Sequence, residues 1–158
     1  MAAISALGDL TILIVPNGWH RADAGVYKAR FPHMLVTCPP GAMDAVSEVV
    51  DVDFPASELP SRFGDEAVRA YPLPGWNAEG APAQELVYEF RARGRTAFVV
   101  ADMLFNLPPA SGTIARVLGS CNAGDGVPVV SRLSRWFISD KVRRRTSARC
   151  AYVCVVFR

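Results

Sequence analysis

His20, Asp23 and Asp102 are the residues whose types and positions could do chemistry. The stretch "PNGWHRAD" (16–23) puts a histidine beside Trp19, with Asp23 three residues on, directly after the apolar run "TILIV". An imidazole changes charge near neutral pH, so it serves as a base, a proton shuttle or a metal ligand. It can equally be a hydrogen-bonded turn histidine, and both readings of His20 stand. Asp102 interrupts the apolar run "AFVVADMLF" (97–105). Burying a carboxylate is costly unless it is paired or metal-bound, so Asp102 demands a partner. That partner is either structural, such as backbone N–H groups or an arginine, or functional. Asp23 is expected to be the N-cap of a following helix.

The surrounding pattern says which elements position these residues. "LTILIVP" (10–16) reads as a short strand buried on both faces and ended by Pro16. "DAGVYKARF" (23–31) has helical spacing and stops at Pro32, and "HMLVTC" (33–38) is a second strand. These three make a β-α-β unit with parallel strands, so His20 follows a strand's C-terminal end, where open α/β sheets bind ligands. A short helix and an acidic connection are expected over 41–54. An edge strand containing Pro72 is expected over 67–73, and a half-exposed strand over 85–92. Gly94 is expected to turn a hairpin into a central strand over 96–105. Helices are expected over 111–121 and 127–145, and a closing strand over 150–157. The order implies an α/β domain with a mixed β-sheet and flanking helices, one domain over residues 1–158.

Half of the 158 residues are hydrophobic and a fifth are charged, which excludes a disordered chain. A net charge of +2 does not demand a nucleic-acid partner. However, "KVRRRTSAR" (141–149) gathers five of the 17 basic residues. Arg143, Arg144, Arg145 and Arg149 could contact phosphates, or could be a solvated helix end. No segment has the roughly 20 apolar residues of a membrane span. No Lys or Arg precedes the first apolar run, as a signal peptide requires, so a cytoplasmic location is expected. Cys38, Cys121, Cys150 and Cys154 form no C-x-x-C pair and are expected to be reduced and buried.

Residues 7–41 and 85–108 resemble two blocks of an uncharacterised bacterial-type family with a metallo-β-lactamase-like fold. Pro16, Asn17, His20, Phe31 and Pro32 follow the first block without a gap, with Arg21 where a second histidine usually stands. Glu85, Arg95, Thr96, Asp102 and Asn106 follow the second. The resemblance implies that His20 lies in the first metal-binding loop and that Asp102 corresponds to the bridging aspartate. Gly75-Trp76 would then stand near the mid-chain ligand histidine. It also implies an αββα sandwich, here truncated or halved, whose uncovered sheet face would be met by a homodimer or a partner domain.

Counting imidazoles limits the chemistry. The chain has two histidines, His20 and His33, and a dinuclear hydrolase site of this fold needs five. The leading expectation is therefore a degenerate domain without cofactor that binds a small ligand or a protein. Its site would draw on His20, Asp102, Asn17, Trp19, Asp23, Glu85 and Asn106. The alternatives are a hydrolase with one zinc, iron or manganese ion on His20 and Asp102, helped by Glu85, and a nucleic-acid-binding accessory domain using Arg143, Arg144 and Arg145.

Overall fold

Strand β1 (Ile12–Ile14) pairs in parallel with β2 (Leu35–Cys38), which pairs in parallel with β3 (Phe54–Pro55). The protein, seen in a computed structural model, is described over residues 8–64, 66–72 and 82–102, with the backbone of 104–105 and 129–130. Helix α1 (Ala24–Arg30) joins β1 to β2, and Pro32 follows its end, so the expected parallel β-α-β unit is present. A 3-10 turn (Pro40–Ala42) leads into α2 (Met43–Ser47), and another (Ala56–Glu58) leads into α3 (Leu59–Phe63).

Strand β3 falls where the sequence suggested only an acidic connection. Its ladder is started by a side chain: the Asp53 carboxylate accepts the Val36 N–H at 2.7 Å, while Asp53 N–H reaches the Val36 carbonyl at 2.9 Å. Thr37 Oγ1 then donates to the Phe54 carbonyl at 2.7 Å. Two residues of strand are too short for any periodicity to reveal.

A second sheet is antiparallel, in the order β4 (Val68–Pro72), β5 (Leu86–Ala92), β6 (Arg95–Val99). Arg93 and Gly94, both with positive φ, form the two-residue turn between β5 and β6. β4 is an edge strand and Pro72 closes it, as expected. The chain is thus α/β, and among the described residues the parallel and antiparallel strands lie in separate sheets rather than in one mixed sheet.

Three expectations need correction. β5 does not alternate as expected: Leu86, Val87, Tyr88 and Glu89 are all buried, so both faces are covered over its first half, whereas Arg91 and Ala92 at its far end are exposed. The apolar run 96–105 is not one central strand. β6 ends at Val99, which is 49% exposed and lies on the outer strand of the described sheet. The chain then diverts through Asp102 before β7 (Leu104–Phe105), which pairs antiparallel with β8 (Val129–Val130). β8 falls within the helix expected over 127–145, since adjacent β-branched valines after Pro128 favour extended backbone, and the rest of that span lies outside the described residues. The helix expected over 111–121 and the strand expected over 150–157 lie outside the described residues.

The two sides of the parallel sheet meet different layers, as alternation along a strand requires. Val15, Val36 and Cys38 pack with Ala24 of α1 and Val46 of α2. Ile12 and Ile14 pack instead against the cluster of Phe54, Leu59, Val68, Leu86 and Tyr88, which spans to the antiparallel sheet. Thus α1 and α2 cover one side of the parallel sheet, while α3 and the antiparallel sheet pack on the other. Among the described residues, no helix is long and apolar enough to cross a membrane.

Candidate functional site

Beyond β1 the chain stays in register for one more residue, with Val15 N–H bonded to the Thr37 carbonyl at 2.9 Å. Pro16 then ends the ladder, and Asn17 turns inward with only 3% of its surface exposed. The Asn17 Oδ1 accepts the backbone N–H groups of both Trp19 and His20 at 3.0 Å. This is an Asx turn, in which a side-chain carbonyl stands in for the missing ladder. It shapes "NGWH" so that the His20 side chain is 54% exposed and Trp19 is 67% exposed.

The other end of the same amide reaches across to the second sheet. Asn17 Nδ2 donates to Asp102 Oδ2 at 2.8 Å and to Glu85 Oε2 at 3.2 Å. Asn17 therefore uses both donors and both acceptor directions, and the orientation of its amide is fixed by those partners. Flipping the amide would aim its oxygen at two carboxylates and its NH2 at two N–H donors. Glu85, buried at the entry to β5, also accepts the Ala101 N–H at 3.3 Å through Oε1. Both of its oxygens are thus held by the protein, so its charge braces the segment that carries Asp102.

At the surface, His20 Nε2 lies 2.9 Å from Asp102 Oδ1, and the Asp102 side chain is 31% exposed. Asp102 bonds His20 with one oxygen and Asn17 with the other. Four residues from distant stretches of the sequence, Asn17 with His20 and Glu85 with Asp102, therefore form one connected network ending on a half-exposed imidazole. The partner that a carboxylate in this position demands is thus found in both the Asn17 amide and His20.

Other candidate residues are placed differently. Asp23 occupies the position before α1, but its side chain makes no capping bond. Its backbone is already helical, so the carboxylate cannot fold back over the first N–H groups. The Arg21 guanidinium bonds the Gly18 carbonyl and, at 3.0 Å, Glu48 Oε2. His33 lies just before β2, at the end of the parallel sheet opposite to His20, so the two imidazoles do not converge. Asn106, Gly75-Trp76, Arg143, Arg144, Arg145 and Arg149 lie outside the described residues.

Two residues matter that the sequence did not single out. Gly41 N–H bonds the Ala83 carbonyl at 2.8 Å, and a Cβ there would come within 2.6 Å of the Pro82 carbonyl oxygen. This close approach fastens the turn after β2 to the segment entering Glu85. "PPG" was visible as a turn, but nothing in it announces which backbone it touches. Beneath Glu85, Tyr88 is 2% exposed and its hydroxyl has no hydrogen-bond partner. Burial, and then the nearby Cys38 and Glu85, push its ionisation well above the ordinary tyrosine value. Burial likewise raises the Cys38 thiol to about 11, so it is neutral and unreactive at physiological pH.

Among the described residues no group of three or more His, Cys, Asp or Glu side chains could hold an ion. A catalytic zinc site needs three protein ligands, and here Glu85 is engaged by Asn17 and Ala101. An open cavity of about 380 Å³ lies elsewhere, at the start of β1, lined by Asp9, Leu10, Ile12, Phe63 and Phe90 among others. It includes none of the network residues. No protein-family model, no curated protein and no solved structure matches the chain.

Proposed function

We propose that this chain is a small-ligand-binding domain whose recognition site is the surface formed by Trp19, His20 and Asp102, braced from below by Asn17 and Glu85. In this reading it descends from a metallo-β-lactamase-like hydrolase and has lost the dinuclear chemistry. The observation that supports it best is the use of Asn17. A buried amide satisfies two carboxylates and two backbone N–H groups at once, and all that organisation ends on an imidazole left half in solvent. A purely structural network would gain nothing by exposing its last member.

Metal content and ligand contact test it together. Protein purified without added metal is expected to carry substoichiometric zinc, iron and manganese. A panel of small neutral and charged aromatic fragments is expected to shift the backbone resonances of 17–20 and 101–102 before any others. Near-stoichiometric metal that disappears in His20→Ala would overturn the proposal in favour of a one-metal hydrolase. Fragments that cluster instead in the cavity at the start of β1 would move the binding site away from His20.

A further inference from the structure

We infer that the cavity at the start of β1 is a second binding site, and that it takes a small aliphatic amine, its hydrocarbon lodged between the two sheets and its charge at Asp9. The site is independent of the surface formed by Trp19, His20 and Asp102, none of which lines it. The cavity arises from how the layers end. Ile12 and Ile14 point from the parallel sheet toward the cluster that contains Leu59 and Val68. β1 is the outer strand of that sheet, so among the described residues no further strand closes the gap between the layers on its far side. There the space opens to about 380 Å³, within the range of about 300–1,000 Å³ typical of ligand pockets. The parallel ladder reaches back to Thr11, whose carbonyl accepts the Leu35 N–H at 2.9 Å. Successive residues of extended chain face opposite ways, yet Thr11 lines the cavity together with Ile12. The cavity therefore wraps around the edge of the strand rather than lying beneath one face alone.

The walls select the body of the ligand. Leu59 and Val68 line the cavity from the buried core, and Phe63, 40% exposed, lines it from the solvent side. Water in such a space finds few hydrogen-bond partners, so hydrocarbon displaces it favourably. The rim selects the head group. Asp9 is the one charged residue among the described lining; it is exposed and forms no ion pair among the described residues. A fatty acid would bring its own charge against this carboxylate, and a neutral alcohol would gain little from it. An ammonium gains an opposite charge while staying hydrated at the solvent edge, as lysine side chains do when their stems are buried.

The test titrates the full 15N-labelled chain at pH 7 and low ionic strength with hexylamine, 1-hexanol and hexanoate. They share a hydrocarbon and differ in charge. Hexylamine is expected to shift the amide signals of residues 9–14, Val68 and Phe90 in a saturable way. It should bind about two- to fivefold more tightly than 1-hexanol, the range of an exposed ion pair, with hexanoate the weakest. Asp9→Asn is expected to abolish the preference for the amine while leaving 1-hexanol binding unchanged, which also shows that the variant keeps its fold. Raised salt should shrink the same preference in the unaltered chain. No saturable shift around the cavity with any probe would overturn the site. Equal binding of the three probes, or an amine preference that survives Asp9→Asn, would overturn the ligand class. Shifts confined to 17–20 and 101–102 would put the amine on the His20 surface, overturning the second site and leaving that surface as the only one in use.

Discussion

Glu85 and Glu89 sit four residues apart at the start and middle of the same strand region, both buried, yet their charges are answered in different ways. Glu89 is satisfied inside its own sheet: the Tyr71 hydroxyl donates to Oε2 at 2.6 Å, and Arg91 Nε donates to Oε1 at 2.5 Å. Glu85 accepts the Ala101 N–H from the segment after β6, and it also bonds the Asn17 side chain, 68 positions earlier and at the end of the parallel sheet. The first arrangement stabilises a sheet. The second couples two sheets and orders an exposed imidazole. A buried carboxylate marks a candidate site when its partner comes from another layer and the chain of bonds continues outward.

The sharpest way to break this contrast is Asn17→Ala. It strips a donor from each of two carboxylates and an acceptor from two backbone N–H groups, whereas no single change at Glu89 orphans so much. Leaving a buried charged group short of its partner costs about 3 kcal/mol or more, and urea denaturation should show a loss of that order. His20 should also lose its fixed ring signals. A midpoint within the range of an ordinary surface substitution would mean that the network is not formed in solution. Gly41→Ala comes next. The added Cβ meets the backbone carbonyls of Pro82 and Ala83, which cannot rotate away, so about 1–3 kcal/mol is expected. The shifts should concentrate at 82–85 and at Asn17, since that segment leads into Glu85.

Tyr88→Phe should act in the opposite direction. Its hydroxyl is buried without a partner, and removing it relieves a desolvation cost while the ring keeps its packing against Leu59 and Leu86. A gain of up to about 1 kcal/mol in denaturation is expected. A clear loss would show that the hydroxyl finds a partner in solution.

Much of the site was legible from residue chemistry. A histidine after a β1-type run and an aspartate interrupting an apolar strand each needed an explanation, and the structure brings His20 and Asp102 into one contact. Asn17 and Glu85 were among the candidate binding residues, and the structure joins them in one buried hydrogen bond. The β-α-β unit and the Arg93-Gly94 hairpin were readable because period, proline and glycine act locally. What the sequence hid was determined at a distance. Burial along β5 depends on which layers pack over it, the two-residue strand β3 depends on Asp53 meeting Val36, and Gly41 depends on a backbone from another segment. Asp102 was visible as an interruption, but whether the strand would continue past it depended on partners that the local pattern does not contain.

The smallest expected effect isolates Glu89, the carboxylate that stays within its sheet. The Tyr71 hydroxyl bond, and then the Arg91 guanidinium, hold its ionisation below the ordinary carboxylate value, although burial works against them. A carboxylate depressed in the folded state stabilises the fold above its unfolded value, and this contribution is lost as pH falls through the lower folded value. Tyr71→Phe removes the largest of these effects. Wild type should therefore exceed the variant in stability at pH 7, and the gap should close as acid protonates Glu89 in both states. Denaturation midpoints from pH 7 down to pH 2 would show it. The His20 tautomer should be unaffected throughout that comparison at neutral pH, because no bond of the Asn17 network passes through Tyr71 or Glu89. If Tyr71→Phe did disturb His20, the two carboxylates would belong to one coupled system, and the distinction between a sheet-internal and a cross-layer partner would no longer separate framework from site.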